Sequence, residues 1–389
     1  MFSSRFHWDS RPNRLTELLT QKRLAGAPIL DLTESNPTHA GLAYPAEMLG
    51  ALADPRALRY DPAPAGSEGA RAAVSRYYEA RGLQVPISRI LLTASTSEAY
   101  GYLFKLLTDP GDTVLVPRPS YPLFEYLATM ESLNVRQYPL VYHGGWSIDL
   151  DALSAEMSQR TKAIILVNPN NPTGSYVKRG ELAALVALCA ARGIALISDE
   201  VFSDYALCSD ADRVTTLAGV EDCLAFSMSG LSKIAGLPQM KLGWIVAAGP
   251  EELRRESLEK LEWIADTYLS VSSPVQCAAE ALLEAGEGVQ RQIGGRSAGN
   301  LALAIDMLLG SAANVLAVEG GWYITLQVPR IRTEEEWVLM LLEEYDVLLQ
   351  PGFFYDFSAE AFLVVSLLTE SGVFREGIER IKRATKEDR

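Results

Sequence analysis

Four short polar clusters, each directly after an apolar run, carry the groups that a group-transfer site needs. ILLTA (90–94) runs into Ser95, Thr96, Ser97 and Glu98 ahead of a helical pattern. Small hydroxyl residues at a helix start lie beside free backbone N–H groups and the positive end of the dipole, where a phosphate is welcome; an N-cap is the plainer use of the same residues. AIILVN (163–168) leads into Pro169, Asn170, Asn171, Pro172, Thr173 and Gly174, a rigid turn with an amide side chain aimed out of it. IALIS ends in Asp199 and Glu200. A carboxylate at the end of an apolar strand must be paired or hydrogen-bonded to stay charged, whether as a helix cap, in a salt bridge, or as the partner of a protonated heterocycle. CLAFSMS (223–229) is followed by Gly230, Leu231, Ser232 and Lys233. Among small and apolar residues a lysine loses hydration, its pKa falls, and its amine becomes a nucleophile; a surface loop lysine is the alternative.

The runs that precede these clusters, together with TVLVP (113–117) and LGWIVAA (242–248), are short and apolar on both faces, as sheet strands covered by helices are. The stretches between them, such as 97–107 and 181–192, carry apolar residues at helical spacing. The pattern predicts an α/β unit with a mostly parallel sheet flanked by helices, whose ligands sit beyond the carboxyl ends of the strands. Beyond the charged helix candidate at 251–265 and a second at about 289–309, the chain changes character. WYITLQV, VLLQPG and FLVVSLL alternate with helix candidates near 334–345 and 372–384, which reads as a smaller α+β domain. The expected division is a segment 1–50 packing on the small domain, a large domain over 51–285, and the small domain over 286–389.

Composition narrows the function. The 389 residues are 48% hydrophobic and 22% charged, which marks an ordinary globular chain with a large core, and the net charge of −14 disfavours nucleic acid and anionic membrane surfaces. Cys189, Cys208, Cys223 and Cys277 lie far apart, and only His7, His39 and His143 offer imidazoles, so no zinc site or disulfide framework is expected. The longest apolar stretch, 182–191, is about half of a membrane span, and the N-terminal residues lack an apolar signal region. The expected address is the cytoplasm.

Taken together, a phosphate cradle, an amide, a buried carboxylate and an activated lysine on strand ends are the inventory for holding pyridoxal 5′-phosphate. In the order NNPTG, SDE and SGLSK-x7-K-x-GW, these blocks resemble the class I/II aminotransferases, fold-type I pyridoxal-phosphate enzymes, from about Leu30 to the C-terminus. The resemblance implies that Lys233 forms the internal aldimine and then shuttles the substrate Cα proton. It implies that Asp199 keeps the pyridine nitrogen protonated, that Asn171 hydrogen-bonds the ring's phenolic oxygen, and that Tyr121 stacks on the ring. Thr96 and Ser97 match the phosphate loop, Lys241 matches a phosphate-binding cation that is usually arginine, and Tyr60 resembles the tyrosine that reaches the neighbouring subunit's phosphate in a homodimer. Ser35 and Asn36 resemble the loop that closes over the substrate.

Two departures from the family pattern stand out. Phe202 occupies the place of a tyrosine that donates to the phenolic oxygen, which should raise the aldimine pKa. Val364 occupies the place of the substrate-binding arginine of an R-x-S strand, and a valine cannot bind a carboxylate. The resemblance implies an aminotransferase acting on an amino acid and a 2-oxo acid. A pyridoxal-phosphate lyase, by β-elimination or decarboxylation, uses the same residues. A non-catalytic sensor is opposed by the presence of Lys233, Asp199 and Asn171 and by the short stretch ahead of residue 30, too short for a DNA-binding domain.

Overall fold

A computed structural model describes residues 2–6, 8 and 11–387; His7 lies outside the described residues. Helix α1 (Arg14–Leu24), a two-residue strand β1 (Leu30–Asp31) and helices α2 (Glu47–Ala51) and α3 (Glu68–Glu79) lead into the alternating part of the chain. There follow β2 (Ile90–Thr93), α4 (Thr96–Leu107), β3 (Thr113–Arg118), α5 (Leu123–Met130), β4 (Asn134–Tyr142), β5 (Trp146–Ile148), α6 (Leu150–Glu156) and β6 (Thr161–Val167). Then come α7 (Arg179–Arg192), β7 (Ala195–Asp199), β8 (Ala225–Gly230), the one-turn helix α8 (Leu231–Ile234) and β9 (Gly243–Ala248). Two long helices, α9 (Glu251–Tyr268) and α10 (Ser273–Leu308), precede β10 (Asn314–Val315), β11 (Tyr323–Gln327), α11 (Glu334–Tyr345), β12 (Val347–Leu348), β13 (Gln350–Pro351), β14 (Phe362–Ser366) and α12 (Ser371–Glu387).

The large sheet has the order β2-β9-β8-β7-β6-β3-β4-β5. The pairs β8–β7, β7–β6, β6–β3 and β3–β4 are parallel, whereas β9 runs antiparallel to both β2 and β8. Successive residues of β7 serve opposite faces: Leu196 joins a cluster with Leu166 and Leu185, and Ile197 joins one with Val116 and Phe226. Both faces are dry, so alternation is absent from the sequence of these strands. The expected α/β architecture, with its large mostly parallel sheet and a smaller antiparallel one, is the architecture observed. Two strands had no clear signal. β4 and β5 form the edge beyond β3, and the partly exposed, polar β4 reads as loop in one dimension.

Local chemistry sets the helix ends. Thr333 and Glu336 form a reciprocal capping box at the start of α11, with Glu336 N donating to the Thr333 hydroxyl at 3.2 Å and Thr333 N donating to the Glu336 carboxylate at 2.8 Å. Gly193, left-handed at φ 64°, ends α7. Helix α10 extends well ahead of the run expected at 289–309, because its first half is rich in Ala and Gly and shows little apolar contrast. Gly286 has a packing role there: a Cβ at that position would stand 2.4 Å from Ala235 Cβ, so glycine lets α10 press against the turn after α8.

A four-stranded sheet, β10-β11-β14-β13, packs Ile324, Leu326, Leu363 and Val365 against Trp337, Leu341, Phe374 and Ile378. The short strand β1 pairs in parallel with β12, which ties the N-terminal segment to this second core. Among the described residues no helix is long and apolar enough to cross a membrane.

Candidate active site

The register of the large sheet gathers the polar clusters at one edge. Thr93, at the carboxyl end of β2, pairs with Gly243 at the start of β9, and Gly243 pairs with Gly230 at the carboxyl end of β8. Because β9 runs opposite to its neighbours, its amino end lies level with the carboxyl ends of the others. Val167 pairs with Asp199, and Asp199 with Met228. Residues that follow β2, β3, β6, β7 and β8, and those that precede β9, therefore share one rim. Glycines permit the closest approaches on it. A Cβ at Gly230 would stand 2.8 Å from Leu242 O and 2.9 Å from Gly243 Cα, and one at Gly243 would stand 3.1 Å from Ser229 O.

Lys233 projects from α8 directly after β8. Its Nζ lies 5.0 Å from the Trp322 ring centroid and 5.7 Å from that of Phe202. Burial pushes the amine's pKa down, and the negative charge of Asp199 opposes the shift. Backbone bonding holds the turn, since the Lys233 carbonyl accepts the Tyr205 hydroxyl at 2.5 Å. Asp199 closes β7. Its carboxyl is raised to about 6, chiefly by burial, against hydrogen bonds from Val201 N and the Tyr100 hydroxyl and the positive charge of Lys233. Tyr100 donates to Asp199 Oδ2 at 3.3 Å. The adjoining Glu200 points the other way into the core, where it accepts Leu217 N at 2.8 Å and the Ser227 hydroxyl at 3.0 Å. The two neighbouring carboxylates thus separate into one facing the rim and one bracing the structure.

Asn171 lies in the turn after β6, buried, with no hydrogen-bond partner for its Oδ1. At the start of α4, Ser95 is the N-cap and accepts Glu98 N at 3.2 Å, which leaves Thr96 and Ser97 as first-turn residues. Among the described residues the backbone amides of Thr96 and Ser97 donate to no protein acceptor, as suits an anion site. Lys241 stands just before β9, left-handed at φ 53° and exposed, with no carboxylate paired to it among the described residues. Tyr121 lies between β3 and α5, half exposed. Ser35 lies beside the Tyr323 hydroxyl of β11, whereas the Asn36 side chain turns back on Thr38 N at 3.1 Å.

Tyr60 is not gathered with Lys233 within the chain. It is 80% exposed on the loop ahead of α3, beside a cavity shared with Tyr102 and Ser270. Three contributors had escaped sequence reasoning. Tyr100 sits one helical turn after Thr96 and so could have been placed facing the same rim. Tyr205 and Trp322 had no local signal, and Trp322 comes from beyond α10. Among the described residues no cluster of His, Cys, Asp and Glu is suited to a metal.

With this geometry in hand, the chain can be set beside known proteins. The family profile described as aminotransferase class I and II matches residues 27–381. The glutamate-pyruvate aminotransferase AlaA of Escherichia coli K12 is 30% identical over 276 residues, covering 70% of this chain and 68% of that protein. Its namesake from Haemophilus influenzae is 28% identical over 358 residues, 88% of this chain and 87% of that protein. Among solved structures, an alanine aminotransferase from Pyrococcus furiosus superposes with a TM-score of 0.88 at 23% identity over the whole of both chains.

Proposed function

The chain belongs to the class I and II aminotransferases, and on that premise we propose its substrate pair, its residue roles and its assembly. As a member it moves an amino group between an amino acid and a 2-oxo acid, and its family uses pyridoxal 5′-phosphate. The residues present fit that cofactor: an amine with a depressed pKa, a carboxyl facing the rim, a buried amide oxygen without a partner, and free amides at a helix start.

In our reading Lys233 holds the cofactor covalently, Asp199 pairs with its ring nitrogen, Asn171 meets its ring oxygen, and Tyr121 covers its face. Thr96, Ser97 and Lys241 receive the phosphate. When bound, the cofactor supplies an electron sink for the negative charge that develops at the substrate Cα. Lys233 Nζ takes the proton from that carbon, and burial favours the neutral form that a base requires. Ser35 and Asn36 close over the substrate. The observation that carries this reading is the placement of a partly buried lysine directly after β8, with Nζ 5.0 Å from the Trp322 ring centroid, on the same rim as the carboxyl end of β7 that carries Asp199.

The names of the relatives point to glutamate as amino donor and pyruvate as acceptor. The proposal extends to a cytoplasmic homodimer in which Tyr60 serves the neighbouring subunit. It also extends to a division into a cofactor lobe of 51–285 and a small lobe from 1–50 and 286–389. The test is a two-stage reaction of the loaded enzyme: L-glutamate first, pyruvate second, with alanine as the expected product. Release of ammonia or carbon dioxide instead would identify a lyase, and a spectrum indifferent to every amino acid would identify a sensor.

A further inference from the structure

The inference rests on the reading above, in which Lys233 links to the cofactor, and it concerns what holds the turn that carries this lysine. Helix α8 is a single turn, after which the chain runs through Ala235 and Gly236 toward β9. So short a helix cannot fix its own last residues. Side chains from three remote segments donate to successive carbonyls of the turn. The Tyr205 hydroxyl reaches Lys233 O at 2.5 Å, Gln290 Nε2 of α10 reaches Ile234 O at 3.0 Å, and the Tyr44 hydroxyl reaches Gly236 O at 2.8 Å.

Gln290 differs from the two tyrosines in being itself held by a charge. Its Nε2 also donates to Asp204 Oδ2 at 3.0 Å, where the Tyr77 hydroxyl arrives at 2.8 Å. Arg81 Nε meets Oδ1 of the same carboxylate at 2.7 Å and lays its guanidinium 3.6 Å from the Tyr77 ring centroid. Asp204 Oδ2 and Ile234 O are both acceptors, so only the N–H side of the amide fits between them, and the carboxylate decides which way Gln290 faces. Contact holds the next residues of the turn: a Cβ at Gly236 would stand 2.8 Å from Val289 Cγ1 of α10. Around Gln290 the packing is looser. Two cavities, of about 220 and 250 Å³, are both lined by Tyr77 and Arg81; Ile234 and Gln290 line the first and Asp204 the second. At the residue next to the lysine, a hydrogen bond does what close packing does further along.

We propose that Gln290, oriented by Asp204, is a positioning residue for Lys233: it fixes the turn so that Nζ stands where the cofactor's aldehyde carbon arrives. Linkage makes a C=N bond between Nζ and that carbon and releases one water. Its equilibrium improves with the fraction of time the amine spends in place. The ring and the phosphate are held by other residues, so Gln290 acts on the covalent linkage and not on the non-covalent grip.

The experiment titrates the full chain, stripped of cofactor, with pyridoxal 5′-phosphate, which can link, and with pyridoxamine 5′-phosphate, whose amine in place of the aldehyde cannot; neither titration needs turnover. Gln290→Leu, which keeps the size and removes the donors, should weaken pyridoxal phosphate about threefold to tenfold, the usual net worth of one hydrogen bond, and leave pyridoxamine phosphate within about twofold. Gln290→Glu should weaken pyridoxal phosphate further, since a carboxylate between two acceptors is repelled by both. Asp204→Asn should reproduce the selective loss, and combined with Gln290→Leu it should add nothing to it, because both act through one bond. Should Asp204→Asn not fold, the two Gln290 variants decide the matter alone. The proposal is overturned if Gln290→Leu leaves pyridoxal phosphate within twofold of wild type. Equal weakening of both cofactor forms also overturns it, since that marks a general structural role, and so does a wild-type linkage to any lysine other than Lys233. A loss selective for pyridoxal phosphate, in a protein that transfers no amino group, would sink the functional reading and leave the positioning role standing.

Discussion

Replacing Asp199 by asparagine should move stability and cofactor affinity in opposite directions. Burial raises the Asp199 carboxyl from 3.8 to about 6. Between those two values the folded chain binds more protons than the unfolded one. Stability contributed by this group therefore falls as pH rises from about 4 to about 6, and the deficit persists at higher pH. Fully buried, the difference would amount to about 3 kcal/mol. Asp199 keeps some surface toward the rim, and about 1–2 kcal/mol is the expected figure once solvent screening is allowed for. Asparagine keeps Oδ1 as the acceptor for Val201 N, replaces Oδ2 by an amide N–H group that can donate to the Tyr100 hydroxyl oxygen, and carries no ionisation. Unliganded D199N should be the more stable protein at pH 8 and equal to wild type near pH 4, as read by chemical unfolding across that range. Cofactor titration should show the reverse, a loss of about tenfold to a hundredfold, because a charge-assisted bond to the ring nitrogen is gone. If D199N is less stable than wild type at pH 8, or binds the cofactor equally well, the assignment of this carboxylate is wrong.

Lys233→Ala should abolish both turnover and the borohydride-reducible adduct while leaving the unfolding transition in place; a pyridoxyl group mapped to Lys241 would redirect the assignment. Phe202→Tyr should lower the pH at which the cofactor–lysine linkage loses its proton, since the new hydroxyl stabilises the deprotonated form, and an unchanged spectroscopic titration would place this ring away from the cofactor's oxygen. Gly230→Ala introduces a Cβ within 2.9 Å of the Leu242 and Gly243 backbone, so it should cost about 1–3 kcal/mol of stability and displace Lys233. Wild-type unfolding together with wild-type turnover in that variant would show that the rim yields more readily than its close contacts imply.

The chemistry of the rim was legible in one dimension because each cluster is local. A strand, a turn rich in Pro and Gly, and the next helix start are contiguous, and their turn and capping preferences are set by neighbouring residues. For the same reason the strands of the large sheet and helix α11 stand close to where composition places them. The missing arginine was visible as well, since Val364 occupies a fixed spacing before Ser366. What stands beside Val364 was not. Thr325 and Gln350 reach it through antiparallel pairing between segments far apart in the chain, and Trp322 reaches Lys233 only after α10 has crossed the molecule. The bond from Tyr100 to Asp199 depends on α4 packing across β8 and β9 beside β7, and the polar strand β4 is a strand because β3 offers it an edge. Local propensity decides which residues turn, cap and extend. Sheet register and helix crossing decide which of them meet, because those contacts bring together residues whose sequence separation leaves no periodicity to read.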